Sequence, residues 1–499
     1  MPVESLQSRW FAEPLRLLSF TPRTFLKNKG GHPVLSKAHQ SLISRYMRLK
    51  NPPWLLLCEV GPLPGLSDPN EQITIADGFP SPATVSDASP SPTPAEAASV
   101  SSLPSKNKSA AKKDPAAHLV YLRYLQRNQP PRTELEKFGQ GYQDYLQAPL
   151  QPLTDNLESV TYEVFEKDPV KYDQYEKAIE MALSEWHALG RQTSSSNGAV
   201  VIAVTGSGRG PLVTRALQAS VKTGVAVEMW AVEKNPNAYV LLQRHNEGKW
   251  GGRVNVVKSD MRAWKGPLIS SSSPSQYGKV DIIVSELLGS FADNELSPEC
   301  LDGVQHVLSK DGISIPSSYT AHLSPILAPR LHAEISHRAI TDPDAINLPY
   351  VVMLHAIDFL ATSVPSHPRF QQSWEFSHPL PQETLAVAEA RRGGGVSGGG
   401  GGSMAGGDGA NEHNVRYKRH KFVCKDRGVC NGLAGYFESV LYQGRESVVE
   451  LSTRPDTIDQ KSKDMISWFP IYFPLKVCPV LPPSRLPSPL NSHILGVCD

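Results

Sequence analysis

The chain has 499 residues, enough for two or three domains, and with 40% apolar and 20% charged residues it can bury a sizeable core. Its 50 basic and 49 acidic residues leave a net charge of +1. That balance excludes a protein that binds nucleic acid or a membrane surface through its whole-molecule field, so a cationic substrate must be attracted locally.

The N-terminal MPVESLQSRWFAEPL lacks the charged start and apolar core of a secretory signal, and no apolar run approaches the ~18 residues that span a bilayer. Cysteines at 58, 300, 424, 430, 478 and 498 show no C-x-x-C spacing and are too few for a disulfide framework. A soluble protein of a reducing compartment, cytosolic or nuclear, is expected.

Taken in chain order, LSKAHQSLISRYMRL (35–49) has helical spacing and PPWLLLCEV (52–60) reads as a buried strand. Residues 66–116 are rich in Ser, Pro and Ala and nearly free of aromatics, the composition of a disordered linker. HLVYLRYLQRN (118–128) is an amphipathic helix. From about 198 strands and helices alternate: AVVIAVTG, PLVTRALQASVKTG, VAVEMWAVEKN, NAYVLLQRHNEGKWG, RVNVVKSDM and KVDIIVSELL. Near-continuous apolar strands alternating with helices predict a parallel sheet covered on both faces. After about 317 the rhythm stops. Short runs such as YVVMLHAI, GYFESVLY, SVVELST and WFPIYFPL, separated by Pro and Gly, predict an antiparallel β domain. Residues 391–410 are a glycine tract of the kind that forms a flexible loop insertion.

The chemistry concentrates at the ends of the first four parallel strands. Gly206, Gly208 and Gly210 lie between a strand and a helix, where glycine admits a ligand to the backbone and the helix offers free N–H groups. Glu233 ends the second strand, where a carboxylate can accept both hydroxyls of a ribose. Asp260 and Met261 end the third, placed to accept from an adenine amine and to pack on its ring. Each alone has a bland reading, a tight turn or a surface acid; together at one sheet edge they point to a nucleotide. A nicotinamide dehydrogenase shares the glycines and the acid but leaves the next stretch unexplained. In VSELLGSFADNELSPE, Glu286 and Glu295 bracket a hairpin-like loop, with Ser297 as N-cap and Pro298 at the first position of a following helix. Two carboxylates without metal-ligand companions or a nucleophile suit a guanidinium, which is planar, always protonated and carries five donors. The bland alternative is a pair of solvated loop acids.

GSGRGPLV, AVEKNPNA, SDMRAW and SELLGSFADNELSPECLDG resemble the motifs of the protein arginine N-methyltransferase 5 family, the main type II arginine methyltransferases. So do PLQPLTDNLESVTYEVFEKDPVKYDQY, NLPYVVMLH, GYFESVLYQ and SWFPIYFP; the likeness runs over roughly 9–60 and 118–477. The resemblance implies a Rossmann-like class I methyltransferase domain (151–317) followed by an antiparallel β-barrel domain for substrate and dimerisation (318–499). Ahead of them it implies a partial TIM-barrel remnant (1–65) and a helical connector (117–150). It implies S-adenosyl-L-methionine as cofactor, no metal, and symmetric dimethylation of arginine in arginine/glycine-rich proteins such as histone tails and Sm-type proteins, with roles in chromatin and splicing in cytoplasm and nucleus. By motif, Glu286 and Glu295 are the paired catalytic glutamates. Tyr162, Lys171, Gly206, Gly208, Glu233, Asp260 and Met261 line the cofactor site. Phe165 steers the product toward the symmetric form, and Ser467 and Trp468 hold the substrate arginine. Without the resemblance Tyr162, Phe165 and Trp468 read as core residues. A homodimer or higher homo-oligomer is implied, with no membrane and no direct nucleic-acid binding.

A (β/α)8 barrel needs about 200–250 residues, more than precede the Rossmann-like region here, so only its final units are expected and a WD-repeat adaptor that binds that barrel is a doubtful partner. The C-terminal CPVLPPSRLPSPLNSHILGVCD departs from the family's strands, so a chain truncated at both ends is expected. The alternative to an active enzyme is an impaired homologue that binds cofactor or partners only.

Overall fold

The computed structural model describes residues 1–60, 117–391, 411–424, 426–481 and 489–492. The linker expected at 66–116, nearly all of the glycine tract and much of the sequence after 481 lie outside the described residues. The chain divides into two compact units, one of residues 15–130 with Met1, the other of residues 2–14 and 131–499.

In the first unit two parallel strands, β1 (Leu17–Phe20) and β2 (Trp54–Leu57), pair from Leu17–Trp54 to Phe20–Leu57. Helix α1 (Lys37–Met47) is capped by Ser36, whose side chain accepts from the His39 amide. With α2 (Ala117–Arg127) it covers one face of the strands around Phe20, Leu35, Ile43 and Leu122. The other face differs from expectation. Trp54 and Leu56 are 72% and 48% exposed, so among the described residues β2 is covered on one side only, where Leu55 and Leu57 are half-buried. An apolar run alone does not tell these two cases apart.

The second unit includes the helix Glu4–Ala12. Phe11 and Ala12 are buried, the Phe11 ring lies 5.7 Å from His355, and Arg330 donates to the Glu13 carbonyl at 3.0 Å. Contacts this distant in sequence leave no local pattern.

The α/β part opens with α3 (Ser159–Phe165) and the 20-residue α4 (Pro169–Ala188). The expected alternation follows as β3 (Val200–Thr205), α5 (Pro211–Thr223), β4 (Val227–Glu233), α6 (Pro236–Gly248), β5 (Val254–Lys258) and β6 (Val280–Val284). After α7 (Ser297–Val304), β7 (Leu308–Ile315) adds a fifth strand that its polar sequence LSKDGISI concealed. The parallel order is β7-β6-β3-β4-β5. The direction of winding reverses between β3 and β6, which opens a crevice at the carboxyl ends of those strands.

The antiparallel part is built on two long strands, β8 (Ser318–Leu327) and β12 (Gly432–Gln443), paired from Ser318–Val440 to Ile326–Gly432. Between them run α8 (Pro329–Arg338), β9 (Tyr350–Val351), β10 (Asp358–Phe359) and β11 (Gln371–Ser377); β13 (Val448–Ser452) and β14 (Ile471–Pro474) follow. Along its outer edge β8 carries β11 and β10, and β12 carries β13 and β14, with β9 beyond β14. The run 350–357 supplies only two strand residues, because the His355 and Ala356 amides turn to the Asp144 carboxylate at 2.8 and 3.0 Å. Helix α4 packs in one core with β3 and with Leu441, Val449 and Leu451 of the β part, joining the two walls of the crevice.

Candidate active site

The crevice is a cavity of about 680 Å³ walled by α3, the ends of β3 to β6, the loop after β6, and residues 466–469. Of the residues singled out from the sequence, Tyr162, Phe165, Lys171, Gly206, Gly208, Glu233, Asp260, Met261, Glu286, Glu295, Ser467 and Trp468 line it, whereas Gly210 faces Trp250 and Leu242 instead.

On one side lies the glycine turn. Gly206 and Gly208 have φ of 72° and 54°, in the left-handed region. A Cβ on Gly206 would stand 3.0 Å from the Leu287 side chain, and one on Gly208 3.0 Å from the Tyr162 ring. The turn therefore accepts close covering by α3 and by the loop after β6. Helix α3 buries no residue of its own; Arg209 of the turn ties it down, donating to Glu163 at 2.8 Å and pairing with Glu166 at 3.2 Å. Glu233 is buried, and its two oxygens accept from the Gly208 and Asn235 amides at 2.7 Å each. A carboxylate oxygen has two acceptor sites, so each retains capacity for one hydroxyl. Burial raises the Glu233 pKa against these amide bonds. Asp260 is more committed than its place at a strand end foretells. Arg262 grips it from Nε at 3.0 Å and Nη2 at 2.7 Å, and the Arg262 amide adds a third bond at 2.9 Å.

The other side is cationic and aromatic. Lys171, only 1% exposed, donates from Nζ to Glu286 Oε2 at 3.0 Å. Its ammonium stands 4.8, 5.0 and 5.5 Å from the ring centres of Tyr172, Trp468 and Phe165. Burial opposes its charge most strongly of any one cause, but Glu286, Tyr172 and Asp168 together outweigh it and the Lys171 pKa is raised. Trp468 is fixed by its indole N–H, which donates to the Leu288 carbonyl at 2.8 Å, and by an edge contact with Phe437 at 5.0 Å.

The loop between the glutamates is hairpin-like, as expected: Gly289 and Ala292 exchange amide–carbonyl bonds at 3.0 Å. Ala292 and Leu296 have φ of 66° and 65°, a strain of about 1 kcal/mol or more each that persists where surroundings impose it. Leu296, not Ser297, is the residue preceding α7. A leucine side chain has no oxygen to cap the helix, and the Ser297 hydroxyl donates instead to the buried Tyr319 hydroxyl at 2.9 Å. Glu295 makes no hydrogen bond or ion pair with another described residue. Burial and the nearby Glu286 charge raise its pKa well above the carboxylate range, against the pull of Lys171. Tyr172, Leu288 and Phe437 were missed by sequence reasoning; Tyr172 neighbours Lys171, but nothing local marks the other two.

A five-stranded parallel sheet with a glycine turn and strand-end acids, joined to an antiparallel β domain that supplies an aromatic wall, defines a class I methyltransferase fold with an appended β domain. Three models of one family match in succession: the PRMT5 TIM barrel domain at 1–128, the PRMT5 arginine-N-methyltransferase at 133–315 and the PRMT5 oligomerisation domain at 318–485. The chain belongs to the protein arginine N-methyltransferase 5 family. It is 38% identical over 499 residues to protein arginine N-methyltransferase skb1 of Schizosaccharomyces pombe, covering 100% of this chain and 64% of that protein. To protein arginine N-methyltransferase 5 of Xenopus laevis it is 36% identical over 479 residues, covering 95% and 59%. The chain thus spans about three fifths of the length of these curated relatives. Among solved structures it matches a chain of the Trypanosoma brucei PRMT1 enzyme-prozyme heterotetrameric complex with AdoHcy at a TM-score of 0.44 and 13% identity, covering 65% of this chain and 84% of that one.

Proposed function

We propose that this chain transfers methyl groups from S-adenosylmethionine to the guanidino nitrogens of arginine in proteins, giving monomethyl- and symmetric dimethylarginine. The observation that carries this reading is the chain's own Lys171 ammonium, held by Glu286 and surrounded by three aromatic rings. A carboxylate flanked by ring faces is a site for an alkyl-borne cation, and arginine offers one.

The residues present fit the cofactor. A Cβ at either Gly206 or Gly208 would intrude on the turn, and Glu233 keeps one acceptor site on each oxygen for a pair of hydroxyls. Glu233 and the turn would hold the nucleoside, Asp260 and Met261 its base, and Lys171 its carboxylate. S-adenosylmethionine supplies an electrophilic methyl carbon on a sulfonium. The protein's part is alignment, which can account for roughly 7–11 kcal/mol of such a barrier, and electrostatics. Trp468 and Phe165 confine the guanidinium plane. Glu286 bonds the nitrogens that do not react and leaves electron density on the one that does, beside which Glu295 lies. The methylated nitrogen then sheds a proton, and Glu295, whose surroundings favour its protonated form, is the carboxylate that receives it.

The substrates we propose are arginine/glycine-rich segments such as histone tails and Sm-type proteins, with roles in chromatin and splicing in cytoplasm and nucleus. The match to the family's oligomerisation domain supports a homodimer or higher homo-oligomer. Mass spectrometry of an arginine/glycine-rich peptide incubated with the chain and S-adenosylmethionine tests the reading: symmetric dimethylarginine is expected. A chain that binds S-adenosylhomocysteine yet leaves the peptide unchanged would replace it with the second reading, a homologue that binds cofactor or partners only.

The cofactor side has its own test. Glu233→Gln places an amide NH2 against one of two inward-pointing backbone N–H groups, and S-adenosylhomocysteine affinity should fall about 30-fold or more by calorimetry, since hydrogen bonds to a charged acceptor are worth roughly 1.5–3 kcal/mol. Unchanged affinity would remove Glu233 from the cofactor site.

A further inference from the structure

Asp168 does not line the cavity, yet the cavity is assembled around it. It is 1% exposed and precedes α4 as its N-cap. One carboxylate oxygen accepts from the Val170 and Lys171 amides at 3.0 and 3.2 Å. An N-cap ordinarily has only this task. Here the second oxygen reaches a distant segment, accepting from the Ile466 and Ser467 amides at 2.9 and 2.8 Å and from the Ser467 hydroxyl at 2.7 Å.

Followed onward, the bonds close into a ring. Ser467 leads to Trp468, whose indole N–H donates to Leu288; the Leu288 amide donates to Glu286 Oε1 at 3.2 Å; Lys171 Nζ donates to Glu286 Oε2; and the Lys171 amide returns to Asp168. Three segments, 168–171, 286–288 and 466–468, are registered against one another by this ring. The other residues whose side chains take part, Lys171, Glu286, Ser467 and Trp468, all line the cavity. We propose that Asp168 is the positioning residue that sets the aromatic wall of the arginine pocket against the cofactor side. The proposal rests on the methyltransferase reading above. Displacements of about 1 Å can cost on the order of 100-fold in rate where reactants must align, so a residue that never touches substrate can govern turnover.

Asp168→Asn separates this role from bulk stability. The amide keeps the shape and one acceptor oxygen. Its NH2 is better tolerated toward Ser467, whose hydroxyl can turn to accept, than toward the helix, which offers only N–H groups. The cap survives and the hold on residues 466–467 is lost. The matched control is Asp281→Asn. Asp281 is a fully buried carboxylate accepting from the Val201 amide at 2.9 Å and the Ser194 amide at 3.0 Å; it lies on β6 away from the cavity lining.

The full-length wild type, both variants and Ser467→Ala are compared by melting temperature, by calorimetry with S-adenosylhomocysteine, and by calorimetry and kinetics with an arginine/glycine-rich peptide. In Asp168→Asn, nucleoside affinity should stay within about threefold, peptide affinity in the presence of S-adenosylhomocysteine should weaken about tenfold, and kcat should fall about 10- to 100-fold. Asp281→Asn should lower the melting temperature with peptide affinity and kcat within about threefold. Ser467→Ala, which removes one of the three bonds, should fall between and serves if Asp168→Asn does not fold. Equal peptide losses in Asp168→Asn and Asp281→Asn, or a nucleoside loss in Asp168→Asn as large as the peptide loss, would overturn the proposal. Peptide affinity reports on Asp168 even without turnover, whereas a silent wild type would overturn the methyltransferase reading.

Discussion

Glu286→Gln should reduce methyl transfer by about 10³-fold or more while S-adenosylhomocysteine affinity changes by only a few-fold. Removing one preorganised group that stabilises charge typically costs 10²- to 10³-fold, and Glu286 is also the carboxylate that neutralises the guanidinium. The same substitution has a second effect, set by Lys171. In the ligand-free protein Glu286 pairs with an ammonium that is 1% exposed. Removing one partner of a buried ion pair destabilises by roughly 3–5 kcal/mol; the Gln carbonyl still accepts and Glu286 borders the cavity, so the lower end applies. Glu286→Gln should therefore melt several degrees below wild type. The double variant Lys171→Met/Glu286→Gln removes the stranded charge and should regain most of that stability without regaining turnover. Kinetics and thermal melts on the four proteins of the cycle separate the two effects. Near-normal turnover in Glu286→Gln would sink its catalytic assignment; turnover recovered by the double variant would show that the first loss was structural.

What the sequence disclosed and what it hid follow from how far each signal reaches along the chain. The strands β3, β4 and β6 were legible because burial on both faces imposes apolar runs, and the glycine turn because its left-handed backbone favours glycine and a Cβ would crowd Tyr162 and Leu287. Strand β7 was not, because it is half exposed and carries Ser309, Lys310 and Asp311. The paired glutamates were legible as chemistry, two carboxylates with no metal partner and no nucleophile. Their inequality was not: Lys171, from a helix more than a hundred positions earlier, pairs with Glu286 and leaves Glu295 without a partner among the described residues. Ser297 shows the reverse error. Its Ser-Pro start looks like a cap, but the strained backbone at Leu296 and the buried Tyr319 hydroxyl take precedence. Asp168 has a strong N-cap signature in DPVK, and nothing in that signature tells of the second oxygen or of Ser467.

The inequality of the glutamates makes the site pH-dependent in a direction that can be worked out. Glu295 has a folded pKa raised above its ordinary 4.5, by burial first and the Glu286 charge second. The folded protein therefore holds a proton that the unfolded chain releases. This contribution to stability is fully present below the ordinary carboxylate range and is lost as pH rises through the folded value. Glu233 is raised too and acts in the same direction, so the informative quantity is the difference between wild type and Glu295→Gln. The neutral amide has no proton to lose: at low pH the two should melt alike, and above the folded pKa the variant should be the more stable by about 1 kcal/mol or more, roughly 1 °C or more for a chain of this size, although it transfers no methyl groups at a useful rate. An entering guanidinium requires Glu295 ionised, so peptide binding to the wild type in the presence of S-adenosylhomocysteine should release a proton and tighten as pH rises. Calorimetry in two buffers of different ionisation enthalpy reads that proton directly. Glu295→Gln should show no linked proton and a flat pH profile. Peptide binding that releases no proton and does not change with pH in the wild type would mean that Glu295 is already ionised before the peptide binds and that the two carboxylates share the guanidinium as equals, and binding that weakens with rising pH would equally overturn the assignment.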